Sequence, residues 1–167
     1  AVGDDRGQAL GRALATCFGP VRREPENPYN DHRVYPSPRC LFPVHAFLAA
    51  PSGWRMVDPG RNALLPLAGP AGASERDSAD RGTVVLTGRF TAVPRAYKWF
   101  RGSLVALELG IVLRSLCLSL DLFGLGGRLR LPDGGAEEAL AGLGLTPEWE
   151  WSLPLALDLA PAGEEPP

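Results

Sequence analysis

The sequence predicts an α+β fold, a mostly antiparallel sheet flanked by helices, and three observations carry that reading. Ser103–Phe123 is apolar over nearly its whole length and suits a long buried central helix. Thr83–Val93 is rich in β-branched residues (Thr83, Val84, Val85, Thr87, Thr91, Val93), which pack well on a pleated surface. The segments follow the order helix, strands, long helix, short strand, helix, final strand, which is an α+β layout.

The first helix is read over Gln8–Phe18, where Leu10, Ala13, Leu14 and Cys17 recur at helical spacing. Gly19-Pro20 ends it, since glycine accepts a left-handed cap and proline cannot continue a helix. Val21–Val34 is polar and carries prolines, so it reads as a loop. Tyr35-Pro36-Ser37-Pro38 is a stiff turn, because each proline fixes its own φ and drives its predecessor out of the α region. Pro43–Ala50 reads as a buried strand. Gly53–Asp58 and Ala63–Leu67 form a hairpin across the turn Pro59-Gly60-Arg61-Asn62.

Ala68–Gly82 is a low-complexity run of Gly, Ala, Ser, Asp and Arg, expected to be a mobile loop. After the long helix, Gly124-Leu125-Gly126-Gly127 serves as its terminator. Arg128–Leu131 reads as a short strand, Asp133–Leu143 as a helix closed by Gly144, and Trp149–Leu159 as extended chain. Ala160–Pro167 is a polar tail. With 167 residues, 45% of them hydrophobic, one domain spanning 1–167 is expected, since domains run to roughly 100–200 residues.

Composition removes several functions. Seventeen basic against nineteen acidic residues leave a formal charge of -2, so no basic face for nucleic acid is expected. Cys17, Cys40 and Cys117 stand far apart, and only His32 and His45 supply imidazole, so no metal site is expected. Buried free thiols in a reducing cytoplasm are the expectation for the cysteines. The apolar Ser103–Phe123 is interrupted by Glu108, Arg114 and Asp121, and a charge at the centre of a membrane span costs about 2.5–3.5 kcal/mol. It is therefore read as a core helix, not a membrane span, with Glu108 and Arg114 as internal ion-pair or interface groups. The first residues lack the basic-then-apolar layout of a signal peptide, and the sequence does not open on an initiator Met, which leaves the true N-terminus open.

Three stretches, in this order, resemble the SagB-type branch of the nitroreductase family. The first is Arg33-Val34-Tyr35-Pro36-Ser37-Pro38-Arg39-Cys40-Leu41-Phe42-Pro43-Val44. The second is Gly53-Trp54-Arg55-Met56-Val57-Asp58-Pro59 with Asn62-Ala63-Leu64. The third is the long helix from Leu104, with Glu108 and Gly110 near its start and Phe123-Gly124-Leu125-Gly126 at its end. Leu143-Gly144-Leu145-Thr146-Pro147-Glu148 is similar to the closing segment of such chains.

The resemblance implies a nitroreductase-like dimer joined through the long helix, with FMN at the interface. It places Arg33, Pro36, Ser37 and Arg39 on one side of the flavin and Gly124, Leu125 and Gly126 on the other. It also implies oxidation of thiazoline or oxazoline rings in a ribosomally made peptide, and a catalytic Lys-Tyr pair just before the long helix. Here that slot holds Tyr97-Lys98-Trp99, so Lys98 with Tyr97 is the catalytic candidate, the lysine acting as base for a carbon-bound proton.

The partner implied is a second copy or a related dehydrogenase subunit, and the substrate a peptide. Pro38-Arg39 stands where small residues are expected, Gly110-Ile111 replaces a Gly-His, and the family's N-terminal Arg- and Ser-bearing segment is not recognisable. These departures keep two further readings open: a degenerate, non-catalytic partner subunit, and a generic nitro or quinone reductase. Ser37 is equally a turn serine bonding its own backbone, Lys98 a surface lysine, and Arg33 and Arg39 solvated loop residues.

Overall fold

A computed structural model describes residues 2–27, 31–50, 53–67, 82–131, 136–145 and 149–161. The expected mobile loop (apart from Gly82), Thr146-Pro147-Glu148 and the tail beyond Pro161 lie outside them. The described chain holds helices α1 (Val2–Phe18), α2 (Phe100–Leu122) and α3 (Ala136–Gly142). Its strands are β1 (Arg22–Arg23), β2 (Asp31–His32), β3 (Val44–Ala50), β4 (Gly53–Asp58), β5 (Ala63–Pro66), β6 (Thr83–Gly88), β7 (Leu125–Arg130) and β8 (Leu155–Pro161). Strands β3 to β8 form one antiparallel sheet in the order β5-β4-β3-β6-β8-β7.

Alternation along the strands divides the interior in two. Val44, Ala46 and Leu48 of β3, Val84 and Leu86 of β6, and Leu157 and Leu159 of β8 face α1 and α2. Phe47, Val85 and Ala156 point to the opposite face, where they meet Leu143 just past α3. With both faces covered, β6 is buried along its whole length, which explains its β-branched run.

Helix α2 lies against the sheet through Val105, Leu109, Val112, Leu116 and Leu120, all buried. By length and composition α2 is able to cross a membrane. Here it packs on β3, β6, β7 and α1 as a core helix. Its approach to β6 is closest at Gly88, where a Cβ would collide with Val105 Cγ1.

Several boundaries depart from the sequence reading. Helix α1 begins at Val2, six residues early, although its opening Gly-Asp-Asp-Arg-Gly offers no apolar face to reveal it. Within the segment read as loop, Arg22–Arg23 pairs with Asp31–His32 in a short polar ribbon. Strand β6 stops at Gly88 rather than Val93, because Arg89 bridges to Trp151 and Phe90–Ala92 turns as a 3-10 helix before Pro94. Helix α2 starts at Phe100. The terminator glycines are also strand: β7 takes in Leu125-Gly126-Gly127, and at Gly127 a Cβ would press on Leu157. Ala160 and Pro161, read as tail, pair with Gly126 and Leu125. The extended segment read from Trp149 becomes strand only at Leu155.

Gly88→Ala should lower stability by about 1–3 kcal/mol through overpacking against α2. Adding Val105→Ala should return part of that loss, and urea unfolding of the single and double variants checks the coupling.

Candidate functional site

The stiff turn is built from the inside. Tyr35 is buried between Phe18 of α1 and Phe42, edge to face with each at 6.3 and 5.6 Å. The Arg33 guanidinium lies 4.0 Å over the Phe42 ring, and its Nη1 donates to the Tyr35 hydroxyl at 2.9 Å. Arg33 is thus half-buried and engaged, not a solvated loop residue. Burial pushes the Tyr35 phenol up to about 12, against the pull of Arg33, so it is neutral.

Beyond Pro36, which is exposed, Ser37 turns inward. Its hydroxyl accepts the Phe42 backbone N–H at 2.9 Å and donates to Glu108 Oε2 at 2.6 Å. The first bond is the turn-serine arrangement, and the second joins the bend to α2. Between Ser37 and Phe42 the backbone is left-handed at three non-glycine positions: Arg39 and Cys40 at φ 52° and Phe42 at φ 46°. Such residues are rare, and a run of them marks stored strain. The Arg39 side chain is exposed.

Glu108, read from the sequence as an internal ion-pair or interface group, is internal, and its hydrogen-bond partner is a hydroxyl. It does not pair with Arg114: six residues along a helix turn the two side chains well apart, and Arg114 is exposed. At 1% exposure its carboxyl is sealed among the bend, β3 and α2. Burial lifts it to about 7, opposed by the Ser37 hydroxyl, the Val44 backbone N–H and Arg33. A lone acidic residue within an apolar helix was the available signal, but its partner lies 71 positions earlier. Across β3, His45 stacks edge to face on Trp151 at 5.5 Å and is driven down to about 4 by burial, Arg89 and Arg33.

The catalytic candidates stand at the start of α2. Lys98 caps the 3-10 turn Arg95–Tyr97 with φ 47° and ψ -128°, a strained backbone, and its side chain is exposed. Tyr97 is half-buried. Trp99 is 84% exposed and meets Phe100 edge to face at 5.8 Å, so the aromatic neighbours do not screen Lys98 from water within this chain. At the other end, Gly124 takes φ 72° and turns the chain from α2 into β7, Leu125 is buried and Gly126 half-buried.

These groups are not gathered at one point. Lys98 precedes Glu108 by ten residues, about 15 Å at the helical rise, and Gly124 follows it by sixteen, about 24 Å. One chain therefore brings the bend to the first half of α2 and leaves the glycine exit beyond the reach of a ring held there. The face of α2 turned from the core carries Phe100, Leu107, Ile111, Leu118 and Leu122, all exposed and recurring at intervals of seven and four. Trp99 and this stripe are more apolar surface than a helix leaves bare without purpose.

A groove of about 230 Å³ opens between α1 and the β4–β5 hairpin, lined by Leu14, Phe18, Val57 and Leu64 among others, and meets this site only through Phe18. Among the described residues no group of three or more metal-ligating side chains comes together. The three cysteines are free, Cys17 buried and the others half-buried.

No family model matches the sequence, and no curated protein is similar to it at the level of sequence. Solved structures do match. A protein classed as a nitroreductase from Anabaena variabilis superposes with a TM-score of 0.80 at 18% identity, over 96% of this chain and 36% of that one. A chain of the Escherichia coli microcin synthetase McbBCD complex, solved with truncated pro-MccB17 bound, gives 0.74 at 16%, over 94% and 64%. A protein classed as a nitroreductase from Ralstonia eutropha gives 0.71 at 16%, over 94% and 73%. The fold is nitroreductase-like. The chain spans about a third of the Anabaena protein and under two thirds of the microcin synthetase chain.

Ser37→Ala should leave Glu108 Oε2 and the Phe42 N–H without their partner. The expected loss is about 1–3 kcal/mol, as for other buried groups deprived of a hydrogen bond, and is read from urea unfolding.

Proposed function

We propose that this chain is an FMN-binding oxidoreductase subunit of the cytoplasm that works as a dimer, and that its reaction is the oxidation of azoline rings in a ribosomally made peptide. The observation that carries the reading is the exposed apolar stripe on α2, whose middle residue is Ile111. Lys98 lies thirteen residues before Ile111 and Gly124 thirteen after it. Two α2 helices crossing antiparallel at Ile111 would therefore set Lys98 of one chain beside Gly124 of the other. The separation within one chain becomes adjacency between two.

Residues fit a flavin only in that arrangement. The bend from Pro36 to Arg39 would wall one side, with Arg33 fixing its shape from within. The exposed Gly124 and the half-buried Gly126 would allow backbone N–H groups near a flat polar ring. FMN bound there would supply the acceptor for a hydride. Lys98 would take the ring-carbon proton, with Tyr97 beside it, and Trp99 and Phe100, covered by the second chain, would exclude water. An azoline loses one hydride and one proton to become an azole, so the two roles balance.

The microcin synthetase likeness and the order of the motifs support a peptide substrate and a multi-subunit assembly over a small nitro or quinone compound. The inward hydroxyl of Ser37 favours a second reading, in which this chain lends only the α2 face and part of the pocket to a related dehydrogenase subunit. Co-purification separates the two. A yellow homodimer supports the first, and flavin uptake only with the related subunit supports the second. A protein that shows no flavin absorption in either state sinks both.

Lys98→Met should lower azoline oxidation by about 10²–10⁴-fold while flavin content stays unchanged. Leu107→Asp, on the exposed stripe, should give a monomer without bound FMN, checked by gel filtration with absorbance read in the flavin bands.

A further inference from the structure

Glu108 is a buried acid that the proposed chemistry does not use, and its surroundings are specific. One oxygen, Oε2, holds the Ser37 hydroxyl. The other, Oε1, is buried with no hydrogen-bond partner. Ser37 relays the contact to the Phe42 N–H, so a single line of bonds runs from α2 to the far end of the left-handed run. Among the described residues the Ser37 hydroxyl is the acceptor that holds the Phe42 N–H, and the φ values there persist only if the surroundings impose them.

We propose that Glu108 is the positioning residue of the site: acting through Ser37, its carboxyl sets the left-handed course of the Pro36–Phe42 bend, and gain or loss of its proton tightens or loosens that bend. The flavin consequence rests on the function proposed above, whereas the effect on the bend does not.

The electrostatics follow from the orphaned oxygen. A neutral acid tolerates one oxygen without a full hydrogen bond, but a carboxylate sealed at the same place puts charge on it with only the Val44 backbone N–H nearby, outside good hydrogen-bond geometry. The groups facing Glu108 are Arg33 and Tyr35 from the chain leading into the bend and the Val44 backbone N–H from β3. His45 on β3 and Cys17 on α1 feel Arg33 and are neutral, the imidazole driven down to about 4 and the thiol pushed up to about 12 by burial. Arg33 is stacked on Phe42 and bonded to Tyr35, and it reaches Glu108 through charge rather than through a hydrogen bond.

Because the closed bend keeps the proton up to about 7 against an ordinary 4.5, it binds more protons than the open state between those values. Its stability falls as pH rises through that window and stays low above it. Opening the bend admits water to the carboxylate.

The test uses the flavin-free chain first. Hydrogen exchange of the Phe42 amide, corrected for the intrinsic rate at each pH, should show several-fold weaker protection at pH 8.5 than at pH 5.5. Glu108→Gln, whose amide oxygen still accepts from Ser37, should keep the protection and abolish its pH dependence. Glu108→Leu should lose protection at both pH values, and Ser37→Ala does the same if the leucine variant does not fold.

In the loaded dimer, FMN affinity should fall several-fold over the same pH range in the wild type and not in Glu108→Gln. A Phe42 amide whose pH response is unchanged in Glu108→Gln overturns the proposal, as does full protection in Ser37→Ala. If no FMN is taken up, the functional reading fails alone, since the amide measurement still decides this one.

Discussion

A carboxyl group sealed beneath a strained turn is the constraint around which this molecule is arranged. To hold Glu108 away from water, α2 must lie flat on the sheet, β3 must bring Val44 alongside, and the bend must close over the top. The aromatic series Phe18, Tyr35, Phe42 then ties α1 to the same point, and Arg33 caps it by stacking on one ring and bonding the hydroxyl of another. The positive charge of Arg33 is retained near an acid that burial keeps near neutrality. The cost of that combination falls on the acid, whose ionised form is sealed from water, while half-buried Arg33 is held by the ring and the hydroxyl.

The two faces of α2 answer different demands. One carries Val105, Leu109, Val112, Leu116 and Leu120 into the core, where each side chain gains about 1.5–3 kcal/mol from burial. The other leaves Leu107, Leu118 and Leu122 largely in water and Ile111 partly so, where the exposed area contributes nothing to the fold of a single chain. A sequence apolar on both sides of a helix is the same whether the second side meets lipid, a core or another protein. Buried Glu108 and the packing on β6 assign the first side, and the second stays exposed in the single chain, where the proposed dimer would cover it.

How much of this was legible in the sequence follows the range of the interactions. The core strands β3, β4, β5 and β6 and the long helix were readable because their apolar patterns are local and dense. The Arg22–Arg23 and Asp31–His32 ribbon was not, since two polar residues on each side carry no periodicity. Glycines 126 and 127 read as a helix terminator, yet they pair with β8, where the close approach of Leu157 requires a residue without a side chain. At the site, the Tyr-Pro-Ser-Pro bend was legible as a stiff turn from its prolines. The direction of Ser37 was not, because it depends on an acid on a different element, and neither was the exposure of Lys98, which depends on whether Trp99 folds back or stands in solvent.

Ser37 spends its proton on Glu108 and one lone pair on Phe42, so the bend cannot present that hydroxyl as a donor to anything outside. Pro36 and Pro38 supply no N–H at all. What the turn itself offers outward is therefore shape, a proline-edged wall whose line is drawn from beneath, with the exposed Arg39 side chain at its end. In the proposed dimer, donors to a polar ring must then come from the opposite wall, the Gly124 to Gly126 backbone of the second chain, where absent side chains let N–H groups approach. In that arrangement a proline-edged wall carrying the exposed Arg39 would face a wall of backbone donors, and the two would hold a flat heteroaromatic ring differently on its two edges. That asymmetry would fix which face of the ring meets Lys98, and it explains why a buried acid far from the reacting atoms belongs to the same design.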